Sequence, residues 1–408
     1  MVSGGIGEAM SVPIPAVVAS KASRLKQIPL SQWAVLIPLF AGFVTPSTPS
    51  WALMFYLTAI PSVLLTLRRG WRPDWKNPAL VAMLCLWGWA TLSIAWDHEF
   101  NVHGKSALYW AVNALWTLIL VLNFVSAAET EPRTRDRVML ALVYGGGINA
   151  LISVGLFLVK GDATARLWGW GLTGNPVMGA AIMDICLLLA LNRIRSDARQ
   201  RLPVMIACLP MLAFLALCYS RSALLAACVV AVVLVFGKRP FVAGLVFACV
   251  AAGGWVFWHF GQTLAPALWN NLASRGDDCH VQLWQAAWKA IRVHPIAGYG
   301  PSATLPHMDN AYCPPYPVPH SLYLSILYYS GVIGLGLFAA TVLLLGRHLL
   351  AVTQGFSRRL WLSVGLVPLI VGLTDLVQII KGPSVMWYIL WVPMLFVVTL
   401  PKSGTYPD

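Results

Sequence analysis

The residues best suited to chemistry stand close together, in the segment from 261 to 320. His320 closes this segment, and an imidazole can act as a general base because it exchanges its proton near neutral pH. Arg275 precedes a helix-like pattern, where a guanidinium and the backbone N–H groups of a helix start can together hold a phosphate. Asp277 and Asp278 follow directly, and their negative charge opposes an anion at that helix start.

Two other kinds of site are not predicted. No spacing of Cys or His is typical of a zinc site, and no glycine-rich stretch is typical of a nucleotide-binding loop. We therefore expect neither a metal nor a cofactor.

The composition of the chain is that of an integral membrane protein. Of its 408 residues, 58% are apolar and 11% are charged, and the mean hydropathy is +0.71. A soluble domain has about 25% charged residues, so this chain cannot cover its surface with polar groups and must partly face lipid. The 19 tryptophans favour the same class, because indole rings accumulate at the boundary between membrane and water.

Apolar runs long enough to cross roughly 30 Å of hydrocarbon predict the fold class. We expect an all-α polytopic membrane protein of about twelve transmembrane helices, with one large periplasmic loop containing short amphipathic helices. The predicted spans are 29–46, 50–67, 78–95, 107–127, 138–159, 175–192, 203–219, 221–237, 240–260, 321–345, 360–380 and 384–400. The chain is divided at Arg221 because a single helix over 203–237 would overshoot the bilayer.

Basic residues predict the orientation of these spans. With the N-terminus in the cytoplasm, only eight of the 28 Lys and Arg residues fall on the opposite side: Lys105, Lys160, Arg166, Arg221, Arg275, Lys289, Arg292 and Lys381. Cytoplasmic loops are rich in Lys and Arg, so this orientation is favoured. The net charge of +13 then reflects topology, and no nucleic-acid partner is expected because no basic stripe lies on a soluble face.

This topology divides the chain into five parts. They are a cytoplasmic tail (1–28), the first nine spans (29–260), the large periplasmic loop (261–320), the last three spans (321–400) and a second cytoplasmic tail (401–408). Both termini are therefore expected on the cytoplasmic side.

The middle of the long loop has the pattern of an amphipathic helix. One stripe at helical spacing holds Val281, Trp284, Trp288 and Ile291. Pro295 follows the end of the pattern. Two tryptophans on the apolar stripe predict a helix that lies flat on the membrane surface.

The eight cysteines fall into two groups. Six lie within predicted spans, where a thiol behaves as a small apolar group: Cys85, Cys186, Cys208, Cys218, Cys228 and Cys249. Cys279 and Cys313 share the long loop, and on the oxidising side of a bacterial inner membrane such a pair predicts a disulfide. Two free thiols are the alternative.

Several short motifs follow one another in the C-terminal two-thirds of the chain. They are Thr173-Gly174-Asn175-Pro176, Tyr219-Ser220-Arg221-Ser222, the stretch from Trp284 to Ala290, His294-Pro295-Ile296-Ala297-Gly298-Tyr299-Gly300, and His320-Ser321-Leu322-Tyr323-Leu324 before a glycine-rich helix. Their order, on one side of the membrane, resembles the superfamily of O-antigen ligases and polymerases.

The resemblance implies a glycosyltransferase of lipopolysaccharide biosynthesis. In the ligases, a polysaccharide on undecaprenyl pyrophosphate is transferred to a hydroxyl of lipid A–core at the periplasmic face of the inner membrane. The expected partners are therefore this donor, this acceptor and membrane lipids. The family needs neither a metal nor a nucleotide.

The resemblance also implies roles for particular residues. The family's histidine corresponds to His320, as the catalytic base, and its outer arginine corresponds to Arg221, in a pyrophosphate-binding site. A second family arginine often precedes the tryptophan helix. Here the chain has His280 near that place, and Arg275 is the nearest arginine.

Three further residues are secondary candidates: Arg166, Arg292 and Asp375. An ionisable group in a span is costly unless it is paired or functional, so Asp375 is expected to orient His320 or Arg221 across a cavity. Each candidate has a structural alternative, because arginines at helix ends also reach lipid headgroups and a histidine can anchor a helix at the interface.

Three functions remain open at this stage. A ligase transfers finished polymer, whereas a polymerase of the same superfamily joins repeat units on the lipid carrier and tends to have two sizeable outer loops. A transporter or flippase for lipid-linked oligosaccharides would need charged residues along a central pathway. In this chain the motifs gather at one face and one outer loop is long, which favours the ligase.

Overall fold

All regular secondary structure in the part of the chain that the structure describes is helical. This computed structural model describes residues 30–97, 106–160, 166–264, 266, 269, 279–305 and 318–401. The α-helices are α1 (Leu30–Val44), α2 (Thr48–Arg68), α3 (Pro78–Leu92), α4 (Ala107–Thr130), α5 (Thr134–Lys160), α6 (Pro176–Ser196), α7 (Arg201–Cys218), α8 (Arg221–Phe236), α9 (Pro240–Leu264), α10 (His280–Ile291), α11 (Leu322–Val352), α12 (Gly355–Val371) and α13 (Val392–Val398). The predicted all-α class is confirmed.

Each predicted apolar segment contains a helix. Within the described residues, seven helical segments are long and apolar enough to cross a membrane: Thr48–Arg68, Pro78–Trp96, Ala107–Thr130, Thr134–Lys160, Pro176–Ser196, Ala198–Cys218 and Leu322–Val352. The chain is therefore a multi-pass membrane protein. The total of about twelve spans and their orientation stay predictions.

Two Asn-Pro pairs show how the sequence sets the start of a helix. The side chains of Asn77 and Asn175 accept hydrogen bonds from the first backbone N–H groups of α3 and α6. Pro78 and Pro176 occupy the first helical position, where a missing N–H has no cost. The motif that contains Asn175 thus has a capping role.

A break in the chain lies where the boundary between the seventh and eighth spans was predicted. α7 ends at Cys218 and α8 begins at Arg221. Between them Tyr219 has φ +46°, in a left-handed region that non-glycine residues rarely adopt. Arg221 therefore stands in the first turn of a new helix.

The helix that follows His320 is longer than the predicted span of 321–345. α11 has 31 residues, which as one straight helix would be about 46 Å long, well beyond the hydrocarbon thickness. Its backbone breaks at Gly331, with φ +65° and ψ −169°. The break divides α11 into 322–330 and 332–352, and the second part alone has the length of a span.

The prediction that the next helix runs to residue 380 is wrong. α12 ends at Val371, and residues 372–384 form an irregular, largely buried segment. Its backbone groups are paired by side chains from other elements: Trp391 Nε1 to Ile379 O at 2.7 Å, Thr117 Oγ1 to Ile380 O at 3.2 Å, and Gly382 N to Asn113 Oδ1 at 3.2 Å. Irregular backbone is tolerated inside a membrane protein when the protein itself supplies such partners.

The amphipathic helix is present as α10, and its predicted apolar stripe is partly buried. The buried residues are Leu283, Ala287, Ala290 and Ile291, which pack on the first part of α11. Ile291 belongs to both this face and the predicted stripe, whereas Val281 and Trp288 of the stripe are 47% and 49% exposed. That the stripe lies on the membrane surface stays a prediction. Asp277 and Asp278, which precede this helix in the sequence, lie outside the described residues.

Candidate active site

His320 and Asp375 form an ion-pair contact at one end of the bundle. Nδ1 of His320 lies 3.4 Å from Oδ1 of Asp375. The Asp375 side chain is buried, and the same Oδ1 accepts a hydrogen bond from Leu376 N at 2.9 Å. A carboxylate beside Nδ1 favours the tautomer with the proton on Nδ1, so that Nε2 carries the lone pair that can accept a proton.

Backbone contacts between the start of α11 and the end of α12 hold this pair together. Leu322 N donates to Gly372 O at 2.7 Å. A Cβ on Gly372 would lie 2.9 Å from Leu322 Cβ, so only glycine permits so close an approach. His320 precedes the first turn of α11 and Asp375 follows Gly372 by three residues. The two side chains therefore converge.

A second imidazole, from His280, faces the first. The two rings are edge to face with centroids 6.3 Å apart. Nε2 of His280 lies 2.9 Å from Thr374 O, and because a carbonyl can only accept, this nitrogen carries the proton. His280, a secondary candidate from sequence, is thus brought to His320. Among the described residues, no three His, Cys, Asp or Glu side chains are placed to hold a metal ion.

The motif over residues 294–300 lies against the break in α11. Backbone hydrogen bonds join the two segments: Tyr299 N to Tyr328 O at 2.9 Å, Gly300 N to Tyr329 O at 3.0 Å, and Val332 N to Pro295 O at 2.8 Å. A Cβ on Gly331 would overlap Ile296 O. Because α10 leads directly into this motif, the joint fixes His280 relative to His320.

We expect Gly331→Ala to destabilise the protein by about 2 kcal/mol or more, because both the positive φ and the overlap penalise a Cβ. Gly336→Ala, in the same helix, places its Cβ with nothing within 4 Å and should be neutral or slightly stabilising. The measurement is thermal unfolding of both variants in one detergent. Equal melting temperatures would contradict this role of Gly331.

Asp97 and Gln378 support the site and were not indicated as such by the sequence. The Asp97 side chain is buried, and its Oδ2 accepts a hydrogen bond from Ser302 N at 2.6 Å. Gln378 Nε2 donates to Pro301 O at 2.7 Å. These two hydrogen bonds hold residues 301 and 302 between the end of α3 and the irregular segment after α12. An acid directly after an apolar span was the available signal for Asp97, whereas Gln378 falls where a helix was predicted.

Arg221 lies at the same end of the bundle as His320 and Asp375. α8 and α12 pack against each other, and Arg359, near the start of α12, donates to Leu234 O near the end of α8. The helices are therefore antiparallel, and they have similar lengths of 16 and 17 residues. The start of α8, with Arg221, is thus level with the end of α12.

Arg166, which lies between α5 and α6, contacts the break between α7 and α8. Its Nε donates to the carbonyl oxygen of Cys218, the last residue of α7, at 2.7 Å. This contact gives Arg166 a capping role and fits the preference of cations for helix C-termini. It also places a second guanidinium near the start of α8.

Comparison with known proteins relates this arrangement to one family. Residues 206–339 match the family model described as O-antigen ligase. The predicted resemblance to the O-antigen ligase family is confirmed. Over 398 residues the chain is 26% identical to the O-antigen ligase of Pseudomonas aeruginosa, and the alignment covers 91% of this chain and 90% of that protein.

The O-antigen ligase match contains most of the residues described above. It begins in α7 and ends within α11, so Arg221, His280 and His320 lie inside it. Asp375 lies outside it, and only the structure places this acid at His320. The catalytic and binding roles of these residues stay predictions.

Arg292 is not brought to this site. It follows the far end of α10, a helix of 12 residues and about 18 Å that begins at His280. Its guanidinium lies over the Trp288 ring, 5.8 Å from the centroid. A cation–π contact at an exposed indole gives Arg292 a role at the surface.

Two predicted residues, Arg275 and Cys313, lie outside the described residues. Cys279 directly precedes α10 and is disulfide-bonded, whereas the cysteines of the helices are free. The pairing of Cys279 with Cys313 and the phosphate role of Arg275 stay predictions.

Proposed function

We propose that this chain is an O-antigen ligase, which transfers a polysaccharide from undecaprenyl pyrophosphate to a hydroxyl of lipid A–core at the periplasmic face of the inner membrane. The observation that carries this proposal is the His320–Asp375 pair at the end of the bundle where Arg221 begins α8. Displacing a sugar from a pyrophosphate requires a proton acceptor and a fixed cation on one face. The family match over 206–339 supports the same assignment.

In the proposed reaction, the acceptor hydroxyl oxygen attacks the anomeric carbon of the donor sugar. The bond from that carbon to the pyrophosphate oxygen breaks, and undecaprenyl pyrophosphate leaves with the electron pair. The hydroxyl proton passes to Nε2 of His320. The proton on Nδ1 stays on the imidazole, facing Asp375, whose carboxylate balances the imidazolium charge. Arg221 stabilises the growing charge of the leaving group, so neither a metal nor a nucleotide is required.

The proposed topology has about twelve spans, with both termini in the cytoplasm and the His320 site in the periplasm. Arg358 and Arg359 lie near the start of α12, at the end of the bundle away from Arg221. Basic residues at that end support its cytoplasmic location.

The lipopolysaccharide banding pattern of a deletion strain tests the proposed function. A polymerase of the same superfamily would use the same chemistry with a carrier-linked acceptor, so the two enzymes differ in the species that accumulates. For a ligase we expect all ladder bands to disappear while polymer accumulates on the carrier, and the wild-type gene to restore the ladder. A surviving band of one repeat unit would contradict the ligase and indicate the polymerase.

We expect Asp375→Asn to lower the transfer rate by about tenfold or more, because the neutral amide no longer stabilises the imidazolium that forms on His320. KM for both substrates should change little. Asp184→Asn is the matched control, since Asp184 is equally buried, at 5% exposure, within α6. Initial rates of the purified variants decide the point, and equal rates for the two variants would remove Asp375 from this role.

A further inference from the structure

An apolar cavity of about 490 Å³ lies beyond the end of α3, lined by Trp96 and residues 293–299. Val293 and Ile296 are each 65% exposed there. Clustered exposed apolar side chains mark a surface that contacts lipid or another partner. The reaction proposed above makes no use of this cavity.

Two cations stand beside the cavity at the end of α10. Arg292 directly precedes the cavity wall, Lys289 lies one turn earlier, and both are exposed. Arg292 is held over the exposed ring of Trp288. Indole and basic groups side by side are typical of the level where acyl chains meet phosphates. An apolar cavity with a cationic rim fits a lipid that carries both acyl chains and phosphate groups.

The order of the helices separates this cavity from Arg221. α8 packs on α12, α12 on α11, and α11 on α3. Arg221 begins the first helix of this row and Trp96 follows the last. His320 and Asp375 lie at the junction of the two middle helices. A lipid in the cavity and a lipid at Arg221 would therefore contact different helices beside the His320 site.

The distance from His320 distinguishes the two lipid substrates. α10 begins at His280, whose ring is 6.3 Å from that of His320. Its other end, at the cavity, lies about 18 Å along the helix from His280. In the donor, the reacting carbon is bonded to the lipid pyrophosphate itself, so the donor lipid must lie next to His320. In the acceptor, the core oligosaccharide separates the reacting hydroxyl from the acyl chains.

From this geometry we infer that the cavity binds an acyl chain of the lipid A part of the acceptor, with Arg292 and Lys289 at its phosphate groups. This inference rests on the proposed function and adds where the acceptor lipid binds. The donor and acceptor lipids then bind at different helices, the donor at α8 and the acceptor beyond α3.

The test is steady-state transfer by purified Ile296→Glu, whose carboxylate opposes both an acyl chain and a phosphate. We expect KM for lipid A–core to rise about tenfold or more, with kcat and the donor KM unchanged. With core oligosaccharide cleaved from lipid A, variant and wild type should turn over equally. A variant that is merely misfolded would be impaired with both acceptors.

Val159→Glu is the matched control, because Val159 is 86% exposed in the last turn of α5 and does not line the cavity. Ile296→Ser repeats the test without a charge if the glutamate prevents membrane insertion. An unchanged KM for lipid A–core with an active wild type would overturn the inference and leave the proposed function intact. A rise in the donor KM alone would assign the cavity to the carrier lipid and would also overturn it. No transfer by the wild type would contradict the proposed function instead.

Discussion

His320→Ala is expected to lower transfer by about a hundredfold or more while the protein remains folded and inserted. A positioned general base contributes roughly 10²–10⁴-fold, and the alanine variant has no group in reach of the acceptor proton. The His320 side chain is 26% exposed, so its removal opens no buried cavity in the bundle. The measurement is the initial rate with carrier-linked glycan and lipid A–core.

His259→Ala is the matched control for this loss, since His259 is an exposed histidine on α9 and should be dispensable. Thermal unfolding of both variants should match the wild type. Substantial residual turnover by His320→Ala would remove His320 from the role of base and leave it as an interfacial anchor of α11.

Arg221→Lys is expected to lower transfer by about tenfold to a hundredfold, although it conserves the charge. A guanidinium can hold two phosphate oxygens with parallel N–H groups, whereas an ammonium acts as a point charge. Arg221 is half-buried in the first turn of α8, and it has a fixed position relative to the end of α12. The loss should appear in kcat, because the leaving group gains charge in the transition state.

Arg199→Lys is the control for a general effect of losing an arginine, since Arg199 is exposed and lies between α6 and α7. Rates should be compared over a range of salt concentrations, because salt screens a point charge more than a bidentate contact near lipid. Near-normal activity of Arg221→Lys at every salt concentration would make a bidentate pyrophosphate contact untenable.

The features that could be predicted from the sequence depend on local patterns. The length of each apolar run predicted where the helices lie. The same criterion required a break near Arg221, and the structure has this break at Tyr219. The order of short motifs indicated the family resemblance, which the match over 206–339 confirms. The same motifs indicated His320, whose role stays a prediction. Asn175 and Pro176 follow the ordinary rules for a helix start.

The features that could not be predicted depend on contacts between distant residues. The segment 372–384 is apolar enough to be mistaken for helix, and it stays irregular because Thr117 and Asn113, on α4, satisfy its backbone. The stripe on α10 follows from spacing alone, whereas the burial of Leu283 and Ala287 outside that stripe depends on contact with α11. The break at Gly331 depends in the same way on Ile296.

Asp375 could be predicted in part from the sequence, whereas its partner required the structure. An acid near the end of an apolar run indicated a paired or functional group, and His320 was one of two expected partners. Choosing between His320 and Arg221 required the backbone contact between Leu322 and Gly372, which no local pattern encodes.

Reconstituted transfer between two lipid substrates tests the proposed function most directly. Purified protein in nanodiscs would be given undecaprenyl pyrophosphate-linked glycan and lipid A–core, and every glycan-bearing species would be measured. We expect glycosylated lipid A–core and free undecaprenyl pyrophosphate to appear in equal amounts, with no reaction when the acceptor is omitted. Longer glycans on the carrier, with lipid A–core left unmodified, would contradict a ligase.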